Sequence, residues 1–370
     1  MALEATDASP ADTQAAVTPA QAAHRWDLDL LRIGAILGVV AMHTFGLILS
    51  NPELEGTRTW WFGIIMDFGF TFCLPLFVMI SGALLLQARA HARGPAAFLR
   101  RRAGRLVPAL IFWHAFYVVV VRMWILEEDV TPKMALIGVL DARVYTALYF
   151  LWLILGLYVL APVLSAFLVT GDDRRAKIAA VIGIVWASVV WALPSVFAQL
   201  GESRPISLGA LTRFIPYVGI FIAGYAWRKP RPDSNRWMWA LPTAVALLGF
   251  VCWQYGNSAE HPWLLAFLPV SYLSVTVMVP TILIFFSVGD LCARWSPPAF
   301  MLSALRHLSA ATFGVFLTHL VFIAAITRWM PEFYADPAPL AKIQMYLMVV
   351  AASFAASLVL LRIPLIRRLV

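Results

Sequence analysis

Apolar runs of about twenty residues recur along almost the whole chain, and a helix needs about that length to cross roughly 30 Å of hydrocarbon. Ten such runs are read at residues 30–50, 60–86, 106–126, 147–169, 178–199, 214–227, 237–256, 267–290, 309–329 and 341–361. The sixth is the shortest. Composition supports the bilayer as solvent: hydrophobic residues make up 61% and charged residues 13% of the 370 residues, with a mean hydropathy of +0.80. A soluble core of this size cannot hide that much apolar surface. The expectation is an all-α, polytopic protein of about ten transmembrane helices, multi-pass in the cell (inner or plasma) membrane. Prolines such as Pro75, Pro162, Pro194, Pro242 and Pro280 fall inside the runs, where neighbouring helices can satisfy the freed carbonyls. Three scattered cysteines, Cys73, Cys252 and Cys292, exclude a disulfide framework. Residues 1–24 are rich in Ala, Thr, Pro and Gln and read as a disordered tail, leaving residues 25–370 as the membrane domain.

Charge sets the expected orientation. Of the 28 Lys and Arg, 20 fall on the side of the tail and 8 on the other, so the positive-inside rule places both termini in the cytoplasm. The formal charge of +8 is then a topology signal that engages lipid headgroups, and nucleic acid is not expected as a partner.

An ionisable side chain within a membrane costs roughly 2.5–3.5 kcal/mol on insertion scales, so each one needs a partner or a task. Arg32 and His43 lie eleven residues apart in the first run. At about 100° and 1.5 Å per residue they share a helix face, with the arginine near the headgroups and the imidazole about 16 Å deeper. A rim arginine suits a phosphate, and a buried imidazole suits proton transfer. The bland reading is a snorkelling arginine and a histidine that bonds a neighbouring helix. His114 and His319 fall at a similar expected depth, about eight and ten residues into their runs. No helix offers paired ligands at i,i+4 and no carboxylate lies at that level, which argues against a metal. Arg102 and Arg105 share a face at i,i+3 if the third helix starts early, forming a two-pronged anion clamp; the plainer reading is a stop-transfer cluster on lipid headgroups. A ligand with several phosphates and a long thin arm, such as coenzyme A, matches this layout.

Five stretches carry a family resemblance. Arg32, ten residues and His43, with Asp29 upstream, resemble the first-crossing mark of the acyltransferase-3 family. Leu74-Pro-Leu-Phe-Val-Met-Ile-Ser-Gly-Ala-Leu-Leu85, Arg102-Ala-Gly-Arg105 with Pro108, and Leu151-Trp-Leu-Ile-Leu-Gly-Leu-Tyr-Val-Leu-Ala-Pro162 are similar to its next three motifs. Ser309-Ala-Ala-Thr-Phe-Gly-Val-Phe-Leu-Thr-His319 resembles the last, with Phe316 in place of the usual tyrosine. The resemblance implies an integral-membrane enzyme that takes an acyl group, usually acetyl, from cytoplasmic acyl-CoA to a hydroxyl. The acceptor is most often a surface or lipid-linked glycan, and sometimes a small hydrophobic product. It implies His43 as catalytic base or acyl carrier and Arg32, Arg102 and Arg105 as donor-binding residues. His319 falls on a recurrent family position, whereas His114 is a candidate from depth alone. Ser81, beside Gly82, is expected either to make room for the donor or to pack helices. Asp67 is expected to hold the histidine or the acceptor, or else to pair with Arg58 or Arg122. A reading from another class is a proton-coupled transporter, although the arginine clamp and Arg-to-His spacing do not recur as an internal repeat would require.

Overall fold

The computed structural model describes residues His24–Pro364 and Ile366–Val370. The expected tail therefore lies outside the described residues, except for His24. The described chain is helical throughout: α1 (Trp26–Phe45), α2 (Arg58–Phe68), α3 (Cys73–Leu85), α4 (Pro95–Phe116), α5 (Pro132–Leu140), α6 (Tyr149–Val169), α7 (Asp173–Gln199), α8 (Val218–Ala226), α9 (Trp237–Gly256), α10 (Pro262–Phe267), α11 (Val275–Cys292), α12 (Ala299–Trp329), α13 (Pro331–Ala335) and α14 (Pro339–Leu360). Nine helical segments among the described residues are long and apolar enough to cross a membrane. The sixth expected run becomes the shorter apolar helix Ile215–Ala226, so the expected ten resolve into nine spans and one short helix. This is a polytopic membrane protein.

Local sequence sets the boundaries. Thr57 and Ser274 accept from backbone amides at the starts of α2 and α11, and Asp172 does the same for α7 through the Arg175 amide at 2.8 Å. Gly94, at φ +83°, turns the chain into α4 ahead of Pro95. The second span is broken between α2 and α3, where residues 69–72 form turns. Irregular backbone at such a place is tolerated when protein covers it.

Short α8 sits in the interior, with every residue except Val218 buried. Its packing rests on glycine: a Cβ on Gly82 would collide with the Phe221 carbonyl oxygen, and one on Gly224 with that of Met79. Small residues let α3 and α8 approach this closely. Gly82 is therefore a helix contact. The outward faces of α6, α7 and α9 expose Val159, Val163, Ile182, Trp186, Val189 and Val245, as a lipid-facing surface does.

Carboxylates near the N-terminal end of α1 are saturated by partners. Asp290, fully buried, accepts from Arg236 at 2.6 and 3.0 Å and from the Arg231 amide at 2.6 Å. Asp27 accepts from Arg25 at 2.7 and 2.5 Å, and Asp173 pairs with Lys229 at 2.9 Å. These pairs knit loops to helix ends.

Candidate active site

Two helices carry the site. Along α1, Asp29, Arg32, Ile36, Val39 and His43 recur at three- and four-residue steps, and along α12 Arg306, Ser309, Thr312, Phe316 and His319 do the same. Such spacing puts each set on one helix face. The two faces meet at both ends. Ser309 Oγ donates to Asp29 at 2.7 Å near the N-terminal end of α1, and the His43 and His319 ring centroids lie 5.4 Å apart toward the other end.

Between these ends lie two cavities. The larger, a vestibule of about 510 Å³, is lined by Arg32, Arg102, Arg105, Arg306 and Arg367, together with Asp29, Ser81 and Tyr158. Asp29, 4% exposed, holds the Arg32 guanidinium at 3.3 Å and takes the His24 ring at 2.5 Å. α4 does start early, at Pro95, so Arg102 and Arg105 lie on a helix one turn apart. The Arg102 guanidinium sits 5.6 Å from the Phe98 ring centroid and 5.8 Å from that of Tyr158. None of the ion pairs among the described residues engages Arg102, Arg105, Arg306 or Arg367. A cavity lined by five guanidinium groups and a single side-chain carboxylate is suited to a ligand bearing several negative charges.

The smaller cavity, about 160 Å³, lies beside His43 and is lined by Val39, Met42, Leu74, Thr146, Tyr149 and Tyr272, among others. The His43 ring is half-buried and has no hydrogen-bond partner among the described residues. His319 is fully buried; its Nδ1 lies 3.1 Å from the Val315 carbonyl oxygen, and its Nε2 has no partner. A carbonyl only accepts, so Nδ1 carries the hydrogen and Nε2 presents a lone pair. An open buried acceptor is costly unless something occupies it, and the His43 ring is its neighbour, with centroids 5.4 Å apart.

The acyltransferase-3 profile, described as an acyltransferase domain, matches residues 25–362. The chain belongs to the acyltransferase-3 family. No curated protein and no solved structure matches it.

In this family member the residues singled out in the sequence separate into groups. Asp29, Arg32, Ser81, Arg102 and Arg105 line the vestibule, His43 lines the chamber, and His319 packs against His43. Ser81 also donates to the Phe77 carbonyl at 2.9 Å. His114 lines neither cavity. Its Nδ1–H donates to the Leu110 carbonyl at 2.8 Å and its Nε2 accepts from the Trp152 indole at 3.1 Å, so both nitrogens are used within the scaffold. Asp67 lines neither cavity and forms no ion pair with Arg58 or Arg122, the latter being held by Glu128 at 2.6 Å. The Asp67 carboxylate packs instead on Gly46, three residues beyond His43, where a Cβ would lie 2.8 Å from it.

Other lining residues were not singled out by sequence reasoning. Arg306 continues the α12 stripe one turn before Ser309, a register that was there to be read. Tyr158 lies within the Leu151–Pro162 motif. Arg367 reaches the vestibule from the terminal segment, which is tied down where Trp113 donates to the Leu369 carbonyl at 2.9 Å. Nothing in the sequence signals that fold-back.

Proposed function

We propose that this protein is an O-acyltransferase that moves an acyl group, acetyl in the first instance, from cytoplasmic acyl-CoA to a hydroxyl of a surface or lipid-linked glycan. The observation that carries this reading is the adjacency of an arginine-lined vestibule and a histidine chamber along one face of α1 and α12. The excess of Lys and Arg at the vestibule end is the basis for placing that end, and both termini, in the cytoplasm.

In this reading Arg32, Arg102 and Arg105, joined by Arg306 and Arg367, hold the phosphates of the donor, and Asp29 fixes the aim of Arg32. The donor's thin arm brings the thioester carbonyl to His43. On donor binding the two rings close up, the open Nε2 of His319 accepts the N–H of His43, and the other His43 nitrogen is free to take a proton. The acceptor hydroxyl loses its proton to that nitrogen as its oxygen bonds to the acyl carbon. The C–S bond then breaks, and the imidazolium returns the proton to the departing thiolate. General-base transfer of this kind is worth about 10²–10⁴-fold. Water exclusion and alignment supply the remainder.

The test is turnover by purified protein in detergent with labelled acetyl-CoA and a glycan acceptor. Acceptor-dependent thiol release that disappears in His43→Ala supports the reading. Solute movement across vesicles with no thiol release overturns it in favour of a carrier. Comparison of surface glycans from cells with and without the protein should reveal a missing ester mass; loss of the acyl group from a small hydrophobic metabolite instead would reassign the acceptor.

A further inference from the structure

Phe77 of α3, Phe150 of α6 and Phe316 of α12 each line both the vestibule and the chamber. Their rings meet across the boundary. Phe77 and Phe150 have centroids 6.2 Å apart at an interplanar angle of 63°, and Phe150 and Phe316 lie 5.2 Å apart at 58°. Phe316 is in turn 6.1 Å from the ring of His319. On one side of these rings stand the five arginines of the vestibule. On the other stands an imidazole in a space lined by Val39, Met42 and Leu74.

A thioester held beside a general base faces a competing reaction. Water can replace the acceptor: its oxygen bonds to the acyl carbon, the C–S bond breaks, and the proton taken by His43 passes to the thiolate, giving a carboxylic acid and free thiol. A chamber of about 160 Å³ has room for several waters. Its size therefore does not protect the thioester, and protection has to come from control of access. Three phenyl rings from three separate helices have no polar atom with which to pass water along. A side-chain rotation opens a gap between them without moving backbone, and a slender arm that fills the gap restores the apolar seal.

We propose that Phe77, Phe150 and Phe316 form a collar that passes the thin arm of the donor and excludes water, and so set the ratio of acyl transfer to thioester hydrolysis. This rests on the acyl-CoA reading above. Phe150 is the residue in contact with both others and is the specificity-determining position of the three.

The full chain in detergent, given labelled acetyl-CoA without acceptor, should release acetate and thiol slowly. Phe150→Ala should raise that release at least tenfold, Phe150→Leu should fall between the two, and adding His43→Ala to Phe150→Ala should abolish the gain. Hydrolysis in both Phe150 variants no faster than in the native protein, with acyl transfer intact, would overturn the proposal. A second measurement does not depend on turnover. Met42 lines the chamber alone, and the three native cysteines are buried. Met42→Cys should react with a small methanethiosulfonate cation at least tenfold faster when Phe150→Ala is also present. Equal labelling rates would overturn the collar even if acyl transfer is demonstrated, whereas faster labelling in a protein that never consumes acetyl-CoA would support the collar and remove the acyl-CoA reading.

Discussion

Two histidine sites within the same bundle leave the same side chain in different hydrogen-bonding states. At His114 the Leu110 carbonyl takes the Nδ1 hydrogen and the Trp152 indole fills the Nε2 lone pair. Both ring nitrogens are used, one within α4 and the other in holding α4 to α6, and the ring lines neither cavity. At His43 and His319 the same accounting leaves capacity over: His319 is fixed as the Nδ1–H tautomer, its Nε2 is open, and His43 lines a cavity. Burial alone does not distinguish the two sites. What distinguishes them is whether the protein has completed the imidazole's hydrogen bonds or left them for something else. The arginines divide in the same way. Arg236 is consumed by buried Asp290, while Arg102 and Arg105 face a cavity with no carboxylate partner among the described residues.

The largest effect should fall on the open histidine. His43→Ala is expected to lower kcat for acyl transfer by about 10²–10⁴-fold, with little change in the affinity for acyl-CoA measured by equilibrium binding. A variant that keeps full turnover would erase the contrast between the two histidine sites. Nearly as large, but in stability, is the effect of opening the closed arginine pair. Arg236→Ala strands the Asp290 carboxylate and should cost about 3–5 kcal/mol, read as a drop in the thermal midpoint in detergent, with the KM for donor unchanged in the folded fraction. A raised KM with no loss of stability would show that Arg236 belongs with the vestibule.

Much of this arrangement was legible beforehand, because membrane solvation acts on long windows and helical period acts on short ones. The spans follow from hydropathy, and the Arg32–His43 register follows from helical geometry. What escaped was tertiary. Depth counted from a run's start treats His114 and His319 alike, since partnering by Trp152 depends on how α4 meets α6. The Asp67 ion pair failed for a similar reason: charge proximity along a topology diagram does not tell that Glu128 captures Arg122. The short helix α8 reads as a crossing because its apolarity is that of an interior element, and a bilayer and a protein interior select the same residues.

The open arginines should give the next effect in size. Arg102→Ala removes a charged donor set and is expected to raise the KM for acyl-CoA about 10–100-fold, matching about 1.5–3 kcal/mol for hydrogen bonds to charged groups, with kcat within a few-fold. Arg306→Ala should act in the same direction by less, since Arg306 is exposed. Unchanged donor affinity in both variants would mean that these arginines serve lipid headgroups.

The smallest effect sharpens the opening contrast most. In His114→Phe the ring shape is kept while the acceptor for the Trp152 indole and the donor to Leu110 are lost. Helix-to-helix hydrogen bonds within membranes average about 0.6 kcal/mol, and Trp152 is only half-buried, so the thermal midpoint should fall by a degree or two. Turnover should remain within twofold, because no reacting atom is within reach of a ring that adjoins neither cavity. Loss of turnover comparable to that of His43→Ala, at unchanged stability, would show that a completed set of hydrogen bonds does not mark a histidine as scaffold, and the criterion used to separate the two sites would fail.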